Sequence, residues 1–284
     1  MEEKRNTPIF LVSLLALQFW AMVFAGSAYV NIQFEQFQPA GNSTVGDAAA
    51  NSLILLIPVL IFTFFLIFVI RNYPKIFRTI VIVFPLVLLL LYTPFVFAAT
   101  LIFFVENADF AIVLGFLISV LLMISGVYSL WKNIIWLRTT ITFILSATIG
   151  AILANSFSPP TLFVFPIAFA IYDIYAVFIG PLKKLAGDFG KQPKKGKTIT
   201  DTFGFLLSNI GGFNIGTGDL VFYSMIASAA FILKGFFASL LIVALIEFGT
   251  YLTTWLLLKY KRMLPGLPIP IFLGTGALIL LYYL

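Results

Sequence analysis

From Pro8 to Phe24 the chain carries no charged residue, and comparable apolar blocks follow one another to its end. A helix needs about 20 apolar residues to cross the hydrocarbon layer of a bilayer. Blocks of this length therefore point to a membrane-spanning, all-α chain. Composition agrees: 61% of the 284 residues are hydrophobic and 10% are charged. Soluble domains carry roughly 45–50% apolar and about 25% charged residues.

Hydropathy and loop residues divide the chain into nine predicted transmembrane helices, at 7–30, 52–70, 78–104, 110–130, 133–154, 158–182, 204–232, 236–258 and 264–284. The organisation expected is one integrated membrane domain: helices 1–6 over 1–182, a loop over 183–203 and helices 7–9 over 204–284. The first block has a basic start and small residues at Ala25, Gly26, Ser27 and Ala28, as a signal peptide does, but reads as a retained helix. No repeat of 20–50 residues is evident, nor a pair of broken helices of the inverted-repeat transporter kind.

Charge sets the expected orientation. The N-terminus carries Lys4 and Arg5, the second-to-third loop carries Arg71, Lys75 and Arg78, and Lys132 and Arg138 flank the fourth-to-fifth junction. The sixth-to-seventh loop carries Lys183, Lys184, Lys191, Lys194, Lys195 and Lys197, and the last loop carries Lys259, Lys261 and Arg262. These are 16 of the 17 basic residues, and the exception is Lys234. The alternate loops carry Glu35, Asp47, Glu106 and Asp109. The positive-inside rule then places the N-terminus and the 183–203 loop in the cytoplasm and the C-terminus outside. The net charge of +6 thus reads as topology and contact with membrane lipid, with no nucleic-acid partner. Asn42-Ser43-Thr44 is a glycan-acceptor pattern on the expected outer side.

The chain has neither Cys nor His. Disulfides, thiol nucleophiles, imidazole bases and Cys or His metal sites are all excluded. A hydrolase built from this chain has carboxylates as its remaining catalysts. The spans hold three: Asp173, Asp219 and Glu247. An ionised group at mid-bilayer costs about 2.5–3.5 kcal/mol on insertion scales, so each is a functional candidate by default.

Asp173 lies in FAIYDIYAVF of the sixth span and Asp219 in NIGTGDLVFY of the seventh. The short loop between the spans makes them antiparallel neighbours. Counted along continuous helices, the two acids differ in depth by roughly 9 Å, which unwinding of the glycine-rich stretch could remove. Gly212 and Gly216 read as a small-xxx-small packing pair, and Gly218 removes bulk beside the acid. Two adjacent carboxylates in a low-dielectric site share one proton, which is the arrangement of an aspartic protease and needs no cofactor and no metal. Glu247 reads as a structural residue with Thr250, Thr253 and Thr254 as nearby partners. An ion or proton transporter, or a cation-leak channel, explains the three acids equally well, and a noncatalytic scaffold for membrane helices is a further alternative.

Three motifs then resemble one family. Tyr172-Asp173 is similar to the YD motif of the presenilin and signal peptide peptidase proteases. Gly216-Thr217-Gly218-Asp219 matches their GxGD motif. Pro265-Gly266-Leu267-Pro268 resembles their PAL motif, with Gly266 in place of the usual alanine. The resemblance implies an intramembrane aspartyl endopeptidase, a multi-pass protein of the cell membrane acting on transmembrane-helix substrates. It implies that Asp173 and Asp219 are catalytic and that the 265–268 segment shapes the site and seats substrate. The Lys-rich loop gives presenilin-like orientation rather than the inverted one. The compact loops and the lack of Cys and His suit a prokaryotic, archaeal member. The short sixth-to-seventh loop lacks a segment for self-cleavage, and no accessory subunit is evident, while oligomerisation is compatible with the sequence. An unwound substrate needs backbone partners. The segment 197–200 and the proline-rich 265–270 are the candidate edges for strand addition.

Overall fold

The computed structural model describes residues 2–32, 36, 38–41, 44–105, 107–179, 204–210, 212–260 and 264–284. The Lys-rich loop, the 197–200 candidate edge and the Asn42-Ser43 part of the glycan pattern lie outside the described residues.

The apolar blocks form helices because a helix satisfies its own backbone where lipid offers no partners. They are α1 (Glu2–Asn31), α2 (Val45–Asn72), α3 (Pro74–Leu101), α4 (Ala108–Trp131), α5 (Ile135–Ser156) and α6 (Pro159–Phe178). Thr44 and Asp47 close a capping box on α2, and Asn107 caps α4 by accepting from the Phe110 amide. Lys132 and Asn133 form the short junction before α5. Arg138, expected as a junction residue, lies in the first turns of α5 and is buried.

The largest departure from expectation follows. Residues 204–216 do not open a helix. Gly204–Leu206 is a single 3-10 turn, followed by β1 (Leu207–Ile210) and β2 (Phe213–Gly216), which pair antiparallel with Leu207 opposite Gly216 and Ile210 opposite Phe213. Among the described residues the fold is thus helical with one small hairpin. Gly212 turns it with φ of +91°, a conformation that favours glycine. Gly212 and Gly216 therefore serve a turn and a strand, not helix-on-helix packing. A bare hairpin is untenable in lipid, and protein packs on part of this one. The Phe213 ring packs on Phe10 of α1 at 5.3 Å, and Thr139 of α5 donates to the Asn209 carbonyl at 3.3 Å.

The helix α7 (Thr217–Tyr260) follows and is broken at Gly235, whose φ of 80° and ψ of −173° are non-helical. Ala227 and Val243 belong to one small buried cluster with Met22 of α1. Along a straight helix those two positions would stand about 24 Å apart, so the chain reverses at Gly235 into two adjacent arms. The last helix, α8 (Pro268–Tyr283), lies against both arms: a Cβ on Gly274 would meet Ile246 at 2.7 Å and Ile226 at 3.5 Å. The expected extended run over 265–270 is shorter than anticipated, because Pro268 and Pro270 already belong to the first turn of α8. Proline suits the first helical turn, where the missing N–H has no intrahelical partner.

Among the described residues seven helices are long and apolar enough to cross a membrane, and α8 is a shorter apolar helix. The main core joins α1, α5, α6, both arms of α7 and α8. Helix α2 stands outermost, with Ile57, Ile61, Phe64 and Phe68 exposed. Such a face suits hydrocarbon, not water.

Candidate active site

Asp173 lies less than two turns before the end of α6, and Asp219 is the third residue of α7. Because 204–216 is a hairpin, Asp219 stands near the start of its helix instead of deep within it. The calculated depth offset between the acids rested on that missing helical stretch, and it falls away.

Packing of aromatic rings brings the two helices together. Phe169 and Phe222 face each other at 4.8 Å between centroids, and Phe165 joins them at 5.6 Å from Phe222. Phe169 is four residues before Asp173, and Phe222 is three after Asp219. Those spacings share a helix face. The same contact that docks α6 on α7 therefore turns both carboxylates toward a common space. Tyr172 stands edge-on to Phe169 at 6.5 Å, on the rim of this ring cluster.

Both acids reach the segment between α7 and α8. The Leu267 amide donates to Asp173 Oδ2 at 3.2 Å. A Cβ built on Gly266 would stand 2.5 Å from Asp219 Oδ2, so the carboxyl occupies space that any larger residue would claim. With ordinary backbone dimensions linking these two points, the two oxygens lie within about 9 Å of each other. Tyr223, one turn beyond Asp219, donates its hydroxyl to the Gly266 carbonyl at 2.9 Å. The Gly266–Leu267 peptide is thus gripped from α6 by an acid and from α7 by a phenol.

The remaining motif residues divide in role. A Cβ on Gly216 would lie 3.5 Å from Asp219 Oδ2, so this strand residue borders the carboxyl. Thr217 donates to the Phe205 carbonyl and ties the start of α7 to the 3-10 turn. Around Gly218 a Cβ would meet nothing within 4 Å, leaving open space next to the acid. Pro265 is half-buried, while Leu267 and Pro268 are buried. A cavity of about 130 Å3 adjoins Asp219, Tyr223 and Gly266, with Asn214 and Ile215 of β2 on one side and Thr250 and Thr253 of the second α7 arm on another. Such a volume holds water if polar partners are present, and these walls supply them.

Sequence reasoning missed Tyr223, whose only signal was its four-residue spacing from Asp219. It also missed the partner of Glu247. The three threonines near Glu247 donate to backbone carbonyls of their own helix, whereas Gln18 of α1 donates to Glu247 Oε1 at 2.9 Å. Among the described residues no group of three or more acids could hold a metal ion.

Comparison with known proteins bears on this arrangement. A presenilin family intramembrane aspartate protease in the C222 space group superposes with a TM-score of 0.60 at 17% identity, covering 95% of this chain and 96% of that one. A second such structure, in the P2 space group, gives a TM-score of 0.54 at 18% identity, with 95% of each chain covered. Presenilin-B of Dictyostelium discoideum is 33% identical over 126 residues, which are 44% of this chain. The chain thus has the fold of the presenilin-family intramembrane aspartate proteases. The match spans 25% of the length of Presenilin-B. No family model matches the chain. The presenilin-like fold covers the elements that carry all three motifs: α6, the hairpin with α7, and α8.

Proposed function

We propose that the chain is an intramembrane aspartyl endopeptidase that hydrolyses peptide bonds within transmembrane segments of other membrane proteins. The observation that carries this reading is the convergence of Asp173 and Asp219, from separate helices, on the Gly266–Leu267 segment. In the proposed reaction one carboxylate takes a proton from water as that water attacks the scissile carbonyl carbon. The other carboxyl, protonated, donates to the carbonyl oxygen. The tetrahedral intermediate then collapses as a proton passes to the departing amine, and no cofactor takes part.

A substrate helix must unwind before its peptide bonds are open to attack, and its freed amides then need partners. We assign that role to the outer edge of β2. The sheet has two strands among the described residues, and β1 is flanked by Thr139 of α5. Ile210 and Phe213 close the hairpin, so the Asn209–Asn214 pair one step away is the non-hydrogen-bonded kind. Asn214 therefore turns its N–H and C=O away from β1, beside the cavity that adjoins Asp219. Strand addition to such an edge is a general mode of peptide capture.

The two α7 arms and α8 are read as three crossings, which makes nine in one integrated membrane domain of the cell membrane. The N-terminus and the 183–203 segment are assigned to the cytoplasm and the C-terminus to the outside. The chain contains no Cys, so single introduced cysteines can be labelled without background. A cysteine near residue 191 should react with an impermeant reagent from the same side as one at the N-terminus. Labelling from opposite sides would overturn the orientation.

Reconstitution separates the protease reading from the channel reading. The purified chain in liposomes, with a labelled single-span substrate, is expected to release two fragments cut within the span. Ion flux without any cleavage would instead favour the channel.

A further inference from the structure

Basic residues gather at one end of α1 and at the matching end of the second α7 arm. In the sequence Lys4 and Arg5 precede Thr7 and Lys261 and Arg262 follow Tyr260, while Lys259 lies in the last turn of the arm; Glu2 and Glu3 offset two of these five charges. Between these two ends lies a groove of about 700 Å3. Pro8 and Leu11 form one wall, Trp255 and Leu258 the other, and Lys259 stands at the mouth. The Lys259 ammonium lies over the Trp255 ring at 4.8 Å and the Tyr260 ring at 5.5 Å. Aromatic faces hold a cation by their quadrupole but accept none of its N–H bonds in the usual sense. The ammonium is therefore positioned with donors to offer.

A Trp and a Lys at the end of a span mark the level of the lipid headgroups. The rest of the groove is walled chiefly by apolar groups, with Thr7, Tyr251 and Thr254 also lining it. Its natural ligand thus has an anionic head and a hydrocarbon tail. Basic pockets between transmembrane helices take lipid headgroups of this kind. We propose that the groove between α1 and the second α7 arm is a binding site for an anionic phospholipid. Lys259 holds the phosphate, and one acyl chain lies between Leu11 and Leu258. The groove shares Thr254 with the cavity that adjoins Asp219, so the lipid tail ends one helix face away from the candidate catalytic space. The assignment rests on groove shape and charge and does not depend on the proteolytic reading.

Binding can be measured without any substrate. The full chain, delipidated in a neutral detergent, is titrated with phosphatidylglycerol or with phosphatidylcholine of the same acyl chains, and bound lipid is counted by native mass spectrometry. Phosphatidylglycerol should bind more tightly. Lys259→Gln should weaken it about fivefold, the effect of one basic residue near an anionic lipid, and bring it toward phosphatidylcholine. Lys234→Gln, a charge removed at the other end of the arm, should leave it unchanged. Leu11→Trp, which fills the groove, should weaken both lipids while the chain keeps its thermal midpoint in detergent. Equal binding of the two lipids by the wild type overturns the proposal, as does a phosphatidylglycerol preference that survives Lys259→Gln.

Discussion

At the scale of single residues, the candidate site depends on what surrounds the two acids as much as on the acids. Asp173 is held by an amide of the segment that Asp219 touches at Gly266. Tyr223 fixes the same segment from the other side through the Gly266 carbonyl. Its side chain is 1% exposed, and Tyr223→Phe leaves the Gly266 carbonyl without that donor. We expect a stability loss of about 1 kcal/mol, the usual net worth of one such bond. Cleavage should fall more, about tenfold, because small displacements of reacting groups are costly in rate. A variant with unchanged cleavage would show that Tyr223 has no part in positioning the segment. The acids themselves were conspicuous in the sequence, since ionisable groups in apolar spans are rare. Tyr223 was not: it is one of 11 tyrosines, in a span where an aromatic residue is unremarkable.

At the scale of elements, the helices were legible and the hairpin was not. The boundaries of α2 to α6 follow from where charged and polar residues interrupt long apolar blocks. Leu207–Gly216 reads LSNIGGFNIG, apolar and glycine-rich, and so continues the following apolar block without a break. A short run of that kind does not distinguish helix from strand by periodicity. The error mattered because it displaced Asp219 along the chain's expected path. The reversal at Gly235 was more accessible, since the apolar stretch of α7 is too long for one crossing. The hairpin carries its own prediction. Asn214→Pro removes an N–H that points away from β1, so the two-stranded ladder should survive. Cleavage of a transmembrane substrate should drop at least tenfold if that N–H pairs with the unwound substrate, as a lost pairing group leaves the substrate unsatisfied in a dry site. Full cleavage with an intact fold would remove β2 from the proposed docking role.

At the scale of the whole molecule, the chain is an assembly of apolar helices with a few polar pairs buried between them. Gln18 and Glu247 pair between α1 and the second α7 arm. The hairpin lies under α1 and α5, and the two aspartates meet beside it. The similarity to presenilin-family structures extends across 95% of the chain. The central claim is that Asp173 and Asp219 act as one unit, and one measurement addresses it directly. The initial rate of cleavage of a labelled single-span helix is compared among the wild type, Asp173→Asn, Asp219→Asn and the double variant, all in the same liposomes. Groups that act together lose nearly everything when either is removed, so each single variant should be as inactive as the double, at least about a hundredfold below wild type. Cleavage within tenfold of wild type in either single variant would contradict the paired-aspartate account.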